Sequence, residues 1–461
     1  MLKFLKWSAI ILIGTPVLLY LIWLSGNLYR EDISPELSLF LTRQPDHPLP
    51  EKDNAYFDVI GLSAPSDMEP HSWGVTWFTQ ASTNDLLILE NKPANPIQLV
   101  NYPVTSKLSD LPCSKTNSQF ACIEEVANNL TATQSTLDND SLLLMRFDNL
   151  LDKEYQEPFR QMSPKSDFPP FAALGRAAKL GQIRIALEIA KHHDDAALQR
   201  WGRETGFLLR QTRNSHSLID TLICTSLLTR YQKLLANYIT VYPKRARSNA
   251  KQLLSILEPF SKSSLTLRHA MENEAVFSSR FLLSQAPSLG NEIDGEQDFL
   301  GDVVNLLAYP LYDKSETANE YAAFFLEYAR IATLDGDAYR EELAKISSTQ
   351  KRTIDETFSF HYHNPTGKLI ISMAGATDLS RYFYRVDDVI ANKNLLIFAV
   401  NLLSADTLQT KQIAQSLRVQ NNSLIHPFIG RMPEWDEKSR TLSYAVPDEY
   451  KKNNPPMKIQ L

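Results

Sequence analysis

The residues able to do chemistry in this chain of 461 residues are scattered, so the spacing of each group decides what it could do. His192-His193-Asp194-Asp195 concentrates metal-ligand types. Helical neighbours point about 100° apart and cannot chelate as residues four apart can, so the run reads as a solvated helix end, where histidine suits the dipole. His361 and His363 flank Tyr362; in an extended segment both imidazoles face one way, which begins a zinc site that lacks a third ligand. Surface histidines beside a turn at Asn364 are the plainer reading, so no metal or other cofactor is assigned. Gly367-Lys368 is not a phosphate loop, because Tyr362 replaces the earlier glycine and Leu369 the following Ser or Thr. Ser348 and Lys351 match a Ser–Lys nucleophile spacing, without the accompanying motifs of penicillin-binding enzymes. G-x-S-x-G and H-E-x-x-H do not occur, and no acidic pair stands out as a glycosidase dyad. No catalytic residue is assigned, and the balance leans against an enzyme.

A second class of residues suits binding. Arg381, Arg385, Asp387 and Asp388 fall on or beside one helical turn, near Lys368 if their helices pack. They form either an anion- or partner-binding face or a salt-bridged lid over the core. Trp435 reads as the hydrophobic anchor of a hairpin on the helices; if exposed, it would mark a binding surface.

The elements that position these residues begin with Phe4–Leu24, an apolar run whose only charge is Lys6. About twenty such residues suffice to span a bilayer as a helix, and Gly14 and Pro16 are tolerated there. Lys3 and Lys6 precede it, while Arg30, Glu31 and Asp32 follow, so the expectation is a single-pass anchor in a bacterial inner membrane with the N-terminus cytoplasmic and the bulk periplasmic. A cleaved signal peptide is the competing reading; Leu24-Ser25-Gly26 is its only small-residue exit.

The charge balance is 47 − 53 = −6 with no basic patch, which argues against nucleic acid as a partner. Hydrophobic content of 43% is enough for a substantial core. Cys113 and Cys122 bracket a polar loop and are read as a disulfide, the alternative being free thiols in a loop; Cys224 sits in an apolar run as a buried small hydrophobe.

The expected fold is mainly α: residues 1–28 a cytoplasmic tip and anchor, 29–70 an extended Pro-rich stalk with one or two short helical pieces, 71–290 a helical domain, and 291–461 a second helical lobe. Within the stalk, Asp53–Pro65 is the piece most suited to pack on the body. Short strands or extended loop are read at Leu86–Leu89 and Ile97–Val104. Ser215 is read as the cap of a helix whose stripe is Ile219, Ile223, Leu227, Tyr231, Leu234 and Tyr238. One helix is expected over Ala318–Ile346, and Asn364-Pro365 opens another. Ser284–Gln297 is the clearest internal loop and a candidate boundary between lobes. A small β-hairpin closes the chain around a charged turn at Asp436–Ser439.

Short patterns spread over most of the chain carry a likeness: Asn54-Ala55-Tyr56…Gly61, Cys113…Cys122, Asn364-Pro365-Thr366-Gly367-Lys368, Arg381…Arg385, and Pro427…Gly430…Pro433…Trp435-Asp436. In these the chain resembles uncharacterised proteobacterial envelope proteins that join a membrane anchor to a helical body. The resemblance implies the bacterial envelope and no particular activity. Taken together, the expectation is an interaction, accessory or scaffold protein of the cell envelope with a membrane contact through Phe4–Leu24 and an envelope protein as partner. The alternatives are an envelope hydrolase acting on peptidoglycan or lipid, with dispersed residues, and a small-ligand binder between helical lobes. A deep polar cleft gathering His361, His363 and carboxylates would favour the hydrolase, and an exposed aromatic patch the interaction protein.

Overall fold

A computed structural model of the protein describes residues 2–42, 48–90, 92–95, 97, 111–113, 122–162, 165–284, 306–355, 362–374, 379–405, 410–419, 423–451 and 455–461. The first apolar run forms helix α1 (Leu2–Gly26). Among the described residues, however, no helix is long and apolar enough to cross a membrane, which overturns the anchor and the single-pass inner-membrane location. A spanning helix needs about twenty residues able to sit in lipid. The C-terminal end of α1 is instead tied to the body by polar contacts: Tyr20 Oη donates to Leu307 O (3.1 Å) and Tyr362 Oη to Ile22 O (3.1 Å).

The expected stalk is not extended, although the short helical pieces read within it are present. Pro35 opens α2 (Pro35–Thr42), which buries Leu37, and Asn54 caps α3 (Ala55–Gly61), which buries Tyr56, Phe57, Val59 and Ile60. Proline's fixed φ suits the first turn of a helix as well as an extended chain, and the apolar residues between the prolines decide which one forms. Asn54 locks this piece to the body: its Oδ1 accepts from Tyr56 N and Gln156 N, and its Nδ2 donates to Gln156 O (2.7 Å). Helix α4 (Pro70–Leu89) crosses α3 so closely that a Cβ on Gly74 would lie 2.0 Å from Phe57 O. It continues through Leu86–Leu89, where strand or loop was expected, because Trp77, Ala81 and Asp85 extend one buried stripe. Most of Ile97–Val104 lies outside the described residues.

The body consists of α5 (Cys122–Asn128), α6 (Leu130–Asn139), α7 (Ser141–Leu150), α8 (Ala172–Ala190), α9 (Asp194–Asn214), α10 (Leu218–Val241), α11 (Pro243–Ser248), α12 (Ala250–Leu257) and α13 (Arg268–Ser284). Helix α10 is the hub, packed by α8, α9 and α13 and, from the later part of the chain, by α17 (below). Leu227, Tyr231, Leu234 and Tyr238 of its stripe are buried, whereas Ile219 is exposed. Ser217, not Ser215, caps it by accepting from Asp220 N; Ser215 donates instead to Glu157.

Beyond residues 285–305, which lie outside the described residues and hold nearly all of the expected boundary Ser284–Gln297, come α14 (Lys314–Ile331), α15 (Gly336–Asp355), α16 (Pro365–Ala374), α17 (Ser380–Ser404), α18 (Thr410–Val419) and α19 (Asp448–Lys451). The helix expected over 318–346 is thus two. Gly336, at φ +60°, takes the left-handed conformation that interrupts an α-helix, although the apolar spacing runs on beyond it.

The terminal hairpin is larger than expected. Strands β1 (Glu434–Asp436), β2 (Thr441–Ser443) and β3 (Lys458–Gln460) form an antiparallel sheet in that order, with Trp435, Leu442 and Ile459 in register. The third strand is too short for alternation to announce it, but it buries Ile459 and packs on α10.

Candidate functional site

A polar junction gathers the end of α1, the start of α14 and the turn before α16. Asp313 caps α14, its Oδ1 accepting from Ser315 N (3.0 Å) and Glu316 N (3.1 Å). Its Oδ2 accepts from Glu31 N (2.8 Å), which pins the chain leaving α1. The spacing Asp-x-x-Glu is that of a helix-opening box, yet Glu316 turns away from the cap. Its Oε1 meets Lys368 Nζ (3.1 Å) and its Oε2 lies 3.1 Å from His363 Nε2. That Oε2 is buried and has no hydrogen-bond partner. His363 Nδ1 lies 3.0 Å from Gly26 O.

The turn itself is held by Asn364, buried at φ +47°. Its Oδ1 accepts from Asp313 N (2.8 Å) and Gly367 N (3.1 Å), its Nδ2 donates to Thr317 Oγ1 (3.0 Å), and its own N–H donates to Asn27 Oδ1 (2.6 Å). Gly367 is required here, since a Cβ would stand 2.1 Å from Thr317 Oγ1. Asn27 Nδ2 reaches Tyr362 O (2.9 Å), and Arg30 donates to Tyr312 O (2.6 Å) and Pro310 O (2.8 Å). Lys368 also pairs with Glu320. Burial works to lower the Lys368 ammonium, but Glu320 and then Glu316 outweigh it and hold it above its ordinary value. Chemically the junction places ligand atoms of Asp313, Glu316 and His363 within 4.8 Å of one another.

Of the sequence candidates, His363 and Lys368 therefore meet on α14. His361 lies outside the described residues, as do the side chains of Thr349, Gln350 and Lys351. His363 is packed against Gly26 and Glu316 with a third of its side chain exposed, at a surface junction. Arg381 and Arg385 do not join Lys368: both lie over the Tyr382 ring, at 4.9 and 5.9 Å, while Asp387 and Asp388 point inward and are buried. The four residues thus divide between two sides of α17. Trp435 is half-buried against the core. Cys113 and Cys122 form a disulfide (S–S 2.04 Å), and Cys224 is a buried free thiol. His193 pairs with Glu188 (2.8 Å), and Asp194 is held by Arg245, Tyr238 and Asn249, so that run is tied into the fold.

Sequence reading passed over the buried carboxyls. Glu204, fully buried, is pushed up to about 8 by burial, against the Tyr231 hydrogen bond and Arg184, which lower it. Glu157 and Asp220 lie under the start of α10 and burial raises both. Asp220 accepts from Tyr155 Oη (2.6 Å) and Gln211 Nε2 (2.6 Å), and Glu157 accepts from His216 N and Ser217 N. Asp313 and Glu316 were also missed; their one signal was the helix-opening spacing. Compared with family models, curated proteins and solved structures, the chain matches none.

Proposed function

We propose that the protein works by contact with another protein, as an accessory or scaffold factor. The observation that supports this reading is an apolar surface beside the junction. Leu28 (75%), Tyr29 (73%), Leu306 (74%), Tyr309 (58%) and Tyr362 (48%) are exposed. The contacts of Tyr20 with Leu307 and of Tyr362 with Ile22 bring these stretches together. Scattered exposed apolar residues are ordinary on a monomer, but a gathered patch with tyrosines at its centre and a polar rim is the composition of an interface. Arg30 and Glu31 supply that rim. A protein partner fits better than a small solute, because the large side chains stand out from the surface and do not line a cleft. The aromatic patch is the feature expected of an interaction protein.

The test is a photo-crosslinking amino acid placed at Leu306 or Tyr309, with Met145, exposed at 53% and distant in the sequence, as the control. A discrete protein adduct from both patch positions and none from Met145 is expected. Equal smears from all positions, or adducts from Met145 alone, would sink the reading.

A further inference from the structure

We propose that Asp313, Glu316 and His363 bind a divalent first-row cation of the zinc class. This site is separate from the apolar patch and does not depend on the interaction reading.

The argument starts at the imidazole. A backbone carbonyl only accepts, so the 3.0 Å contact to Gly26 O requires the proton on His363 Nδ1. The neutral ring then presents the Nε2 lone pair to Glu316 Oε2 at 3.1 Å. That oxygen is buried and without a hydrogen-bond partner, on a residue only 7% exposed. Two lone-pair atoms facing one another repel unless a proton or a metal cation lies between them, and the proposal places the metal there. An ion about 2.0–2.1 Å from each, the usual zinc distance to imidazole and carboxylate, subtends about 100° across that gap, between the tetrahedral and octahedral angles. A carbonyl on the distal nitrogen is also the usual means of fixing the tautomer and aim of a metal-binding histidine.

Asp313 completes the set. Its Oδ2 spends one lone pair on Glu31 N and keeps another, and the three ligand atoms lie within 4.8 Å of one another. A side-chain shift of about 1 Å brings this spread to what one ion spans. The surrounding charge also suits a divalent ion. Asp313, Glu316 and Glu320 carry three negative charges and Lys368 one positive, which leaves two negative. Lys368 sits on Oε1 and Glu320, leaving Oε2 to the ion, and Arg30 is occupied by the carbonyls of Tyr312 and Pro310. One imidazole with two carboxylates is a borderline donor set that suits Zn2+ better than Ca2+ or Mg2+. His363 is one-third exposed, so water can supply the fourth ligand.

The experiment is calorimetric titration of chelator-treated full-length protein with Zn2+, paired with Co2+ titration read by visible absorption. One ion per chain is expected, with affinity falling about tenfold or more in His363→Gln and in Glu316→Gln, and the Co2+ bands lost in both. Circular dichroism of each variant confirms the fold. His363→Gln carries the test if Glu316→Gln folds poorly, because His363 lies partly at the surface. His193→Gln should leave binding unchanged. No Zn2+ binding by the intact protein, or binding undiminished in His363→Gln, overturns the proposal and leaves His363 as an imidazolium paired with Glu316.

Discussion

Replacing Glu204 with glutamine should make the protein more stable at alkaline pH. Glu204 is completely buried and lies near Arg200 (3.4 Å) and Arg184 (3.8 Å), so a charge-pair reading would predict the opposite. The geometry decides against that reading. Both arginines are already engaged by Asp148, Arg184 through Nη1 (3.0 Å) and Nη2 (2.6 Å), Arg200 through Nη1 (2.7 Å). Tyr231 Oη lies within reach of both Ala178 O (3.0 Å) and Glu204 Oε2, but it has a single proton. With Glu204 protonated, the acid donates to Tyr231 and Tyr231 donates to Ala178 O, so both contacts of the hydroxyl are made. With Glu204 ionised, the single Tyr231 proton serves Glu204 or Ala178 O but not both, and the other donor to the carboxylate is the longer contact from Arg200 Nη1 (3.4 Å).

Burial therefore raises the carboxyl from 4.5 to about 8, equivalent to about 5 kcal/mol between its protonation states as an upper bound. For a raised carboxyl, the stabilising contribution is full below the ordinary pKa and is lost as pH rises through the folded value, so the window runs from about 4.5 to about 8. Glutamine mimics the neutral acid and cannot ionise. Urea denaturation of both proteins across that window isolates the effect, since other titrating groups are common to both and cancel in the difference. Glu204→Gln should match the parent within about 1 kcal/mol near pH 5 and exceed it by roughly 3–4 kcal/mol near pH 8. A variant less stable than the parent at pH 8 would show that Glu204 is ionised and that its arginines, not burial, dominate.

Three other outcomes follow from packing and covalent geometry. Gly74→Ala pushes a methyl into Phe57 O, which is backbone and cannot yield, so the pairing of α3 with α4 should loosen at a cost of about 1–3 kcal/mol or more in chemical denaturation. Asn364→Ala strips two buried N–H groups of their acceptor and leaves a Cβ at φ +47°, for a loss of roughly 3–5 kcal/mol. Asn364→Gly should recover about 1 kcal/mol of that by removing the strain alone, and equal losses would mean that backbone conformation is not part of the cost. Denatured but unreduced protein should expose one alkylatable thiol, Cys224, and reduction should lower stability by roughly 2–3 kcal/mol. Three reactive thiols before reduction would dismiss the bridge.

How much of this was legible in the sequence depended on how local the physics was. The stripe of α10 from Leu227 to Tyr238, the cap-and-proline pair at Asn364-Pro365 and the charged turn after β1 are set by residues within a few positions of one another, and each forms where its pattern lies. The short helices of the stalk segment are legible in the sequence but its packing is not, because a first-turn proline suits a helix as well as an extended chain and only the fold buries Leu37, Tyr56 and Phe57. The break at Gly336 failed for a related reason: apolar periodicity reports which face is buried, not whether the backbone between two buried turns is continuous. The junction was beyond reach on different grounds. His363 was visible as half a ligand pair, but its companions come from a helix start far back in the chain and were disguised there as a cap. Only the fold brings Asp313 and Glu316 to His363, and only Gly26 O, from the end of α1, fixes which nitrogen faces them. The apolar first helix, expected as an anchor, contributes instead through its last turn: Gly26 O sets the tautomer of the histidine on which the metal proposal rests.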